Sequence, residues 1–384
     1  MTSLVIRGGT VCIDGEGCDV EVIIDRSRIA ALGPPGVAYG GHIVDATGCS
    51  VLPGFVDLQV NGAVGVDLTT QPDRIGEVAA YLVKCGVTSF MPTVVSSSES
   101  DISSAVAAMH EWSHDGQPAA RSLGTHLEGP FLNPARKGAH PARHLRPPSL
   151  AESARWSIDT GVAMVTIAPE LPQALDVIQQ LVANGVVVCA GHTEAGPAEL
   201  DAAVAAGVRG VTHLFNAMGQ ISARAPGPGG SALAHTSLLA GLIVDGLHVD
   251  PVMVRLAWRA LGPSRIALVT DAISALGLPH GEYAVGDTPV VVDDSGARTI
   301  GGVLAGSVLH FDQAVRNLIA FTGCTLGEAS LSASTTGARL AHRDDIGRLD
   351  AGCAADIVVL DEHNEVVLTV VAGRVVFDPQ KRCE

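Results

Sequence analysis

The sequence predicts an α/β protein, a (β/α)8 TIM-type barrel with a small β-sandwich domain formed by both chain ends. Three observations lead there. Hydrophobic residues make up 47% of the chain but aromatics only 3%, so the apolar content is mostly Ala, Val, Leu and Ile, which suit parallel strands buried on both faces. From Val51 onward, apolar runs alternate with stretches rich in Ala, Leu and Glu, the order of repeated strand-helix units. Short strand-like runs broken by turn residues recur at both ends. With 384 residues, the chain exceeds one ordinary core but fits a barrel with a smaller attachment.

In chain order, residues 1–52 form the first part of the small domain, with strands expected at 4–6, 20–24 and 42–45 between Gly and Pro clusters. Residues 53–346 form the barrel. Its strands include 89–92, 162–167, 185–190, 210–213, 239–244 and 265–270, and about eight units fit this span. Residues 347–384 return to short strands at 355–361, 366–372 and 374–377, the last two joined as a hairpin through Gly373. No low-complexity tract or short-period repeat interrupts the chain.

Composition excludes several classes of function. The formal net charge of -16 argues against general affinity for nucleic acid or anionic membranes, which need basic surface. An anionic substrate therefore requires a local cationic pocket. The eight cysteines include no C-x-x-C pair and read as reduced thiols of a cytoplasmic protein. The opening MTSLVIRGGT lacks the apolar run of a secretory signal, and no segment is apolar for long enough to span a bilayer.

The chemistry is written where polar residues follow the expected strands, because barrel enzymes build their sites at the C-terminal strand ends. Five places stand out: Asp57 to Asn61, His126 to Pro130, Gly191-His192-Thr193, Thr212 to Met218, and Thr270-Asp271-Ala272. Two histidines and a carboxylate from separate strands supply N/O ligands for a zinc-like ion and leave one position for water. His126 reads as structural and Asp57 as a hydrogen-bond acceptor at the barrel entrance. The stretch 133–146 carries Arg136, Lys137, Arg143 and Arg146; it is either a lid that attracts an anion or a solvated loop, and sequence does not choose.

On these motifs the chain resembles the amidohydrolase superfamily and, within it, the N-acetylglucosamine-6-phosphate deacetylases. The resemblance runs from Pro53-Gly54-Phe55-Val56-Asp57 through HLEGPFLNPARKGAH, GHT, THLFNAM, DGLHVD and LVTDA to Ala355-Asp356-Ile357. It implies removal of an acetyl group from N-acetylglucosamine 6-phosphate by metal-activated water. Glu128, His192 and His213 are then the metal ligands, and Asp271 is general base and afterwards general acid. Ala139, His140, Asn216, Ala217, Arg224, Asp245, His248, Leu304, Ala305 and Gly306 are implied to contact substrate. A homodimer is implied too, with Arg224 reaching the neighbouring site.

Where most of the superfamily carries an H-x-H pair, this chain has Gln59 and Asn61. These are poor imidazole substitutes, so a second metal position is expected to be weak or empty. One divalent ion per chain follows, zinc first, with iron, manganese or cobalt accepted by the same donors. The alternatives are deacetylation of a related amino-sugar phosphate such as the galacto epimer, another amidohydrolase acting on a small amide, and a barrel that binds without catalysing.

Overall fold

The computed structural model describes residues 4–36, 41–114 and 116–383; the first three residues of the opening stretch lie outside it. Eight parallel strands form the barrel: Phe55–Val60, Val87–Val95, Thr125–Glu128, Val162–Ile167, Val187–Ala190, Gly210–Val211, Leu239–Leu242 and Ile266–Leu268, here barrel strands 1 to 8. Every residue of all eight is buried. This is why the runs read as continuously apolar rather than alternating.

Several expected strands run past their observed ends, at 213, 244 and 270. The backbone leaves the strand there, and His213 already has φ +30°.

Between strands 8 and 1 the ring is closed just beyond the end of strand 8. Asp271 N-H donates to the Gln59 carbonyl at 3.0 Å, and Asn61 N-H to the Ala272 carbonyl at 2.7 Å. Asp57 locks the same seam. It is fully buried, and it accepts the Thr270 N-H at 3.2 Å and the Thr270 hydroxyl at 2.6 Å. Burial pushes its carboxyl up to about 7 despite those bonds.

The outer helices are locally well specified. Pro251–Leu261 begins with the Asp250 side chain accepting the Val252 N-H and with Pro251 at its first position, where no N-H is needed. It ends at Gly262 and turns Val254, Ala257 and Leu261 inward at helical spacing.

Both chain ends meet in a two-sheet sandwich. Ser50–Pro53 lies between Thr10–Ile13, parallel, and Ile357–Leu360, antiparallel, in a six-stranded sheet. A four-stranded sheet from the N-terminal part packs on it through Ile6, Val22, Ile24 and Val44 against Val51, Ile357 and Val359. The hairpin through Gly373 pairs Val366–Val371 with Arg374–Phe377.

The sequence did not announce a three-stranded antiparallel sheet, Gly281–Val285, Thr288–Asp293 and Gly296–Thr299, inserted after strand 8. The reading of strand-helix units absorbed this stretch. The β-branched run Val290-Val291-Val292 followed by the turn residues Asp293-Asp294-Ser295-Gly296 was the signal for it. Among the described residues no helix is long and apolar enough to cross a membrane.

Sandwich and barrel are joined by a buried ion pair. Arg121 donates to both oxygens of Asp356, at 2.9 and 3.3 Å, and Asp356 also accepts the Ala372 N-H at 2.8 Å. The Asp356 side chain is 1% exposed, so Arg121→Ala strands a buried charge and is expected to cost about 3–5 kcal/mol of stability by urea unfolding. Removing the exposed Arg74, paired with Glu77 at 2.7 Å, is expected to change stability by about 1 kcal/mol at most.

Candidate active site

The strand ends bring three electron pairs to one point. Glu128 is the last residue of strand 3, and His192 and His213 follow strands 5 and 6 by two residues. His213 Nε2 lies 2.9 Å and His192 Nε2 3.2 Å from Glu128 Oε1, and the two nitrogens are 3.1 Å apart. All three side chains are about 5% exposed or less. His192 Nδ1-H donates to the Arg136 carbonyl at 2.8 Å, which leaves Nε2 as a lone pair aimed at a carboxylate oxygen. Two acceptors at that distance in a buried place repel unless a cation lies between them. The separations also match the roughly 3.3 Å ligand-ligand edge of a tetrahedral site with bonds of about 2.0–2.1 Å. The donor set therefore fits a divalent ion.

Electrostatics support the same reading. Burial opposes charge on Glu128, yet His140, His192 and His213 hold its carboxyl well below the usual range. Burial lowers His192 to about 4, keeping it neutral as a ligand must be, whereas His213, against the effect of burial, is raised by its bond to Glu128. His140 also approaches Glu128, its Nε2 3.4 Å from Oε2. The Ser96 N-H points at His140 Nδ1 at 3.3 Å and Nε2 faces the cavity, and Glu128, His140 and His192 also bring their ligand atoms close enough together to hold a cation.

Asp271 faces this centre. Burial, then the Glu128 charge, pushes its carboxyl up to about 6, near the value a base working at neutral pH needs. Asn61 Nδ2 donates to its Oδ1 at 2.7 Å and Gln59 Nε2 donates to Glu128 Oε1 at 2.9 Å. Both amides thus present N-H groups where an H-x-H pair would present lone pairs.

His192, His213 and Asp271 all have positive φ, +49°, +30° and +52°. Side chains seldom adopt this region, at a cost of order 1–3 kcal/mol each, and such strain gathers at functional sites.

Over these groups lies a cavity of about 470 Å³, lined by residues 134–141, His248, Asn216, Ala217 and the loop 303–306. Ala139, His140, Leu304, Ala305 and Gly306 all border it. A Cβ on Gly306, φ +61°, would strike Ile273 and come within 2.7 Å of the Asp271 carbonyl, so only glycine fits.

Two expected contacts lie elsewhere. Asp245 does not border the cavity; it accepts His248 Nδ1-H at 2.7 Å and two loop N-H groups at 2.8 Å, and so aims His248. Arg224 is exposed in its loop and does not reach this cavity.

The basic stretch 133–146 also has an outcome. Arg136 pairs with Glu194 at 2.9 Å, Arg146 with Glu152 at 2.5 Å and Arg143 with Asp287, so these cations knit the loop down as a wall. Lys137 borders the cavity, its Nζ donating only to the Gly138 carbonyl at 3.2 Å. His126 is structural, its ring nitrogens 3.0 Å from the Leu58 carbonyl and 2.8 Å from the Thr166 hydroxyl. Sequence reasoning missed Val285, which the inserted sheet brings to the cavity rim, and Glu170, which bonds to Asn133, Thr193 and Glu194.

The profile of the amidohydrolase family matches residues 50–376. The chain belongs to the amidohydrolase family. Among amidohydrolases it is similar to an N-acetylglucosamine-6-phosphate deacetylase of Lysinibacillus sphaericus, 34% identical over 378 residues and 97% of each chain. The enzyme of that name from Homo sapiens is 38% identical over 87% of this chain and 85% of its own. A mutant of the Mycobacterium smegmatis N-acetyl-D-glucosamine-6-phosphate deacetylase, in complex with N-acetyl-D-glucosamine-6-phosphate, superposes with a TM-score of 0.92. It has 32% identity and covers 98% of this chain and 100% of that one.

If Glu128, His192 and His213 hold the ion, His192→Ala and His213→Ala should each weaken zinc affinity at least about 100-fold in chelator competition, since each removes one of three protein ligands. Retention of wild-type affinity by either variant would remove that residue from the ligand set.

Proposed function

We propose that the chain hydrolyses the acetamide of N-acetylglucosamine 6-phosphate, giving glucosamine 6-phosphate and acetate, in the cytoplasm. The observation that carries this is the raised carboxyl of Asp271 beside three converging lone pairs, at the floor of a cavity of sugar-phosphate size. The shared name of the relatives supports the substrate.

Glu128, His192 and His213 would hold one divalent ion, zinc first among zinc, iron, manganese and cobalt. When bound, such an ion polarises a carbonyl oxygen and brings the pKa of water to about 7. The chain's own groups do the proton work. Asp271, oriented by Asn61 through Oδ1, accepts a proton from the attacking water and returns it to the sugar nitrogen, because an amine leaves only when protonated. His140, with its proton on Nε2, donates to the oxygen on which charge grows. Gln59 and Asn61 spend their N-H groups on the two carboxylates, which supports one ion rather than two.

For the phosphate we assign His248, fixed by Asp245, the backbone after Asn216, and Arg224 supplied by a second copy in a homodimer. A guanidinium suits this role because it can grip phosphate with two bonds.

Acetate release from N-acetylglucosamine 6-phosphate by zinc-loaded enzyme is expected to exceed that from the unphosphorylated sugar by at least about 100-fold, the worth of two charge-assisted bonds. The galacto epimer run in parallel reports epimer choice. Asp271→Asn should keep its zinc and lose at least about 10³-fold in kcat, in the range general acid-base catalysis supplies. Near-normal turnover in that variant would sink the assignment.

A further inference from the structure

Glu170 follows strand 4 and takes no part in the chemistry above, yet both its oxygens are engaged. Oε1 accepts the Asn133 side-chain amide and the Glu194 N-H, each at 2.8 Å, and Oε2 accepts the Thr193 hydroxyl at 2.5 Å. Two of these partners, Thr193 and Glu194, are the residues immediately after His192. The third, Asn133, begins the loop that grips His192 from the other side. Asn133 N-H donates to the His192 carbonyl at 3.0 Å, and the Arg136 carbonyl accepts His192 Nδ1-H at 2.8 Å. Glu194 completes the ring by pairing with Arg136 at 2.9 Å.

His192 sits at φ +49°, a conformation that persists only where the surroundings over-determine it. Its ring is held by Arg136 and its carbonyl by Asn133. Glu170 ties both the loop bearing His192 and the loop gripping it to the end of strand 4. Without it, His192 is free to relax toward negative φ, and the imidazole swings off the 3.2 Å approach to Glu128.

We propose that Glu170 is a positioning residue for the metal centre, holding His192 in its left-handed conformation and so setting the affinity of the site for its ion. The inference rests on reading His192 as a ligand. The role is geometric rather than one of charge. A glutamine here could accept from Asn133 and Glu194 through its oxygen and donate its NH2 to Thr193 Oγ1, which already accepts the Ala195 N-H at 2.9 Å and has a lone pair left.

The test strips the full-length protein of metal and measures zinc affinity by competition with a chromophoric chelator in wild type, Glu170→Ala, Glu170→Gln, Thr193→Val and His192→Ala. Cobalt-loaded visible spectra are recorded alongside. Partners that orient a metal ligand are typically worth about 10–100-fold in affinity, so Glu170→Ala should lose that much and show altered cobalt bands. Thr193→Val, which removes one of Glu170's bonds together with the acceptor of the Ala195 N-H and guards against a poorly folded Glu170→Ala, should fall by about 3–10-fold, below that range. Glu170→Gln should stay within about threefold of wild type if bond geometry is what matters.

Wild-type affinity in Glu170→Ala, with affinity lost in His192→Ala, overturns the positioning role and leaves the ligand reading intact. Wild-type affinity in His192→Ala overturns both. Equal losses in Glu170→Gln and Glu170→Ala overturn the geometric role in favour of charge.

Discussion

Glu128 Oε1 is the atom on which two imidazole nitrogens converge, at 2.9 and 3.2 Å, with almost no access for water. Three lone pairs facing one another in a dry place are repulsive, and a protein does not bring them together without compensation. Much of the upper barrel can be understood as answering that demand. Gln59 donates to the shared oxygen, His140 faces the other oxygen of Glu128 at 3.4 Å, and Asp271 stands alongside with its proton affinity raised. A divalent ion would complete the arrangement, and the strain in His192, His213 and Asp271 is what this convergence costs the backbone.

The barrel makes this convergence possible because each of the three side chains arrives from a different strand, and the ring must close for the strand ends to share one centre. Asp57 contributes at that level. By accepting from Thr270 across the seam, it fixes strand 8 against strand 1 and so fixes Asp271 relative to Gln59 and Asn61. The sandwich contributes from farther away, through the Arg121–Asp356 pair beside strand 2. Asp356 belongs to the closing motif Ala355-Asp356-Ile357, so a motif quoted for family resemblance proves to be a joint between domains.

Much of the fold was legible in the sequence, and for physical reasons. Strands buried on both faces must be continuously apolar, so runs such as 162–167 could be read directly, and Val162–Ile167 has those same bounds. The residues that converge on Glu128 Oε1 were legible because polar side chains just after such runs are unusual unless they face a site.

What the sequence hid depends on tertiary context. The inserted sheet after strand 8 is half-exposed, and its weak alternation was outweighed by the rhythm of strand-helix units. Asp245 lies within the DGLHVD motif and seemed a contact, yet its bonds point back at His248. Glu170 has no signature of its own, since a glutamate after a strand looks like any solvated carboxylate until the loops of strands 3 and 5 fold onto it. The partners of the basic stretch, Glu194, Asp287 and Glu152, are similarly invisible as pairs until the chain is folded.

The central claim is that one ion is held by Glu128, His192 and His213 beside Asp271. Anomalous X-ray scattering at the zinc edge from crystals of the zinc-loaded protein tests it most directly. The account predicts one strong peak per chain, bonded to those three side chains at about 2.0–2.2 Å, with Gln59 and Asn61 outside bonding distance. A peak ligated instead by Gln59 or Asn61, two peaks in the cavity, or none at full zinc loading would contradict it.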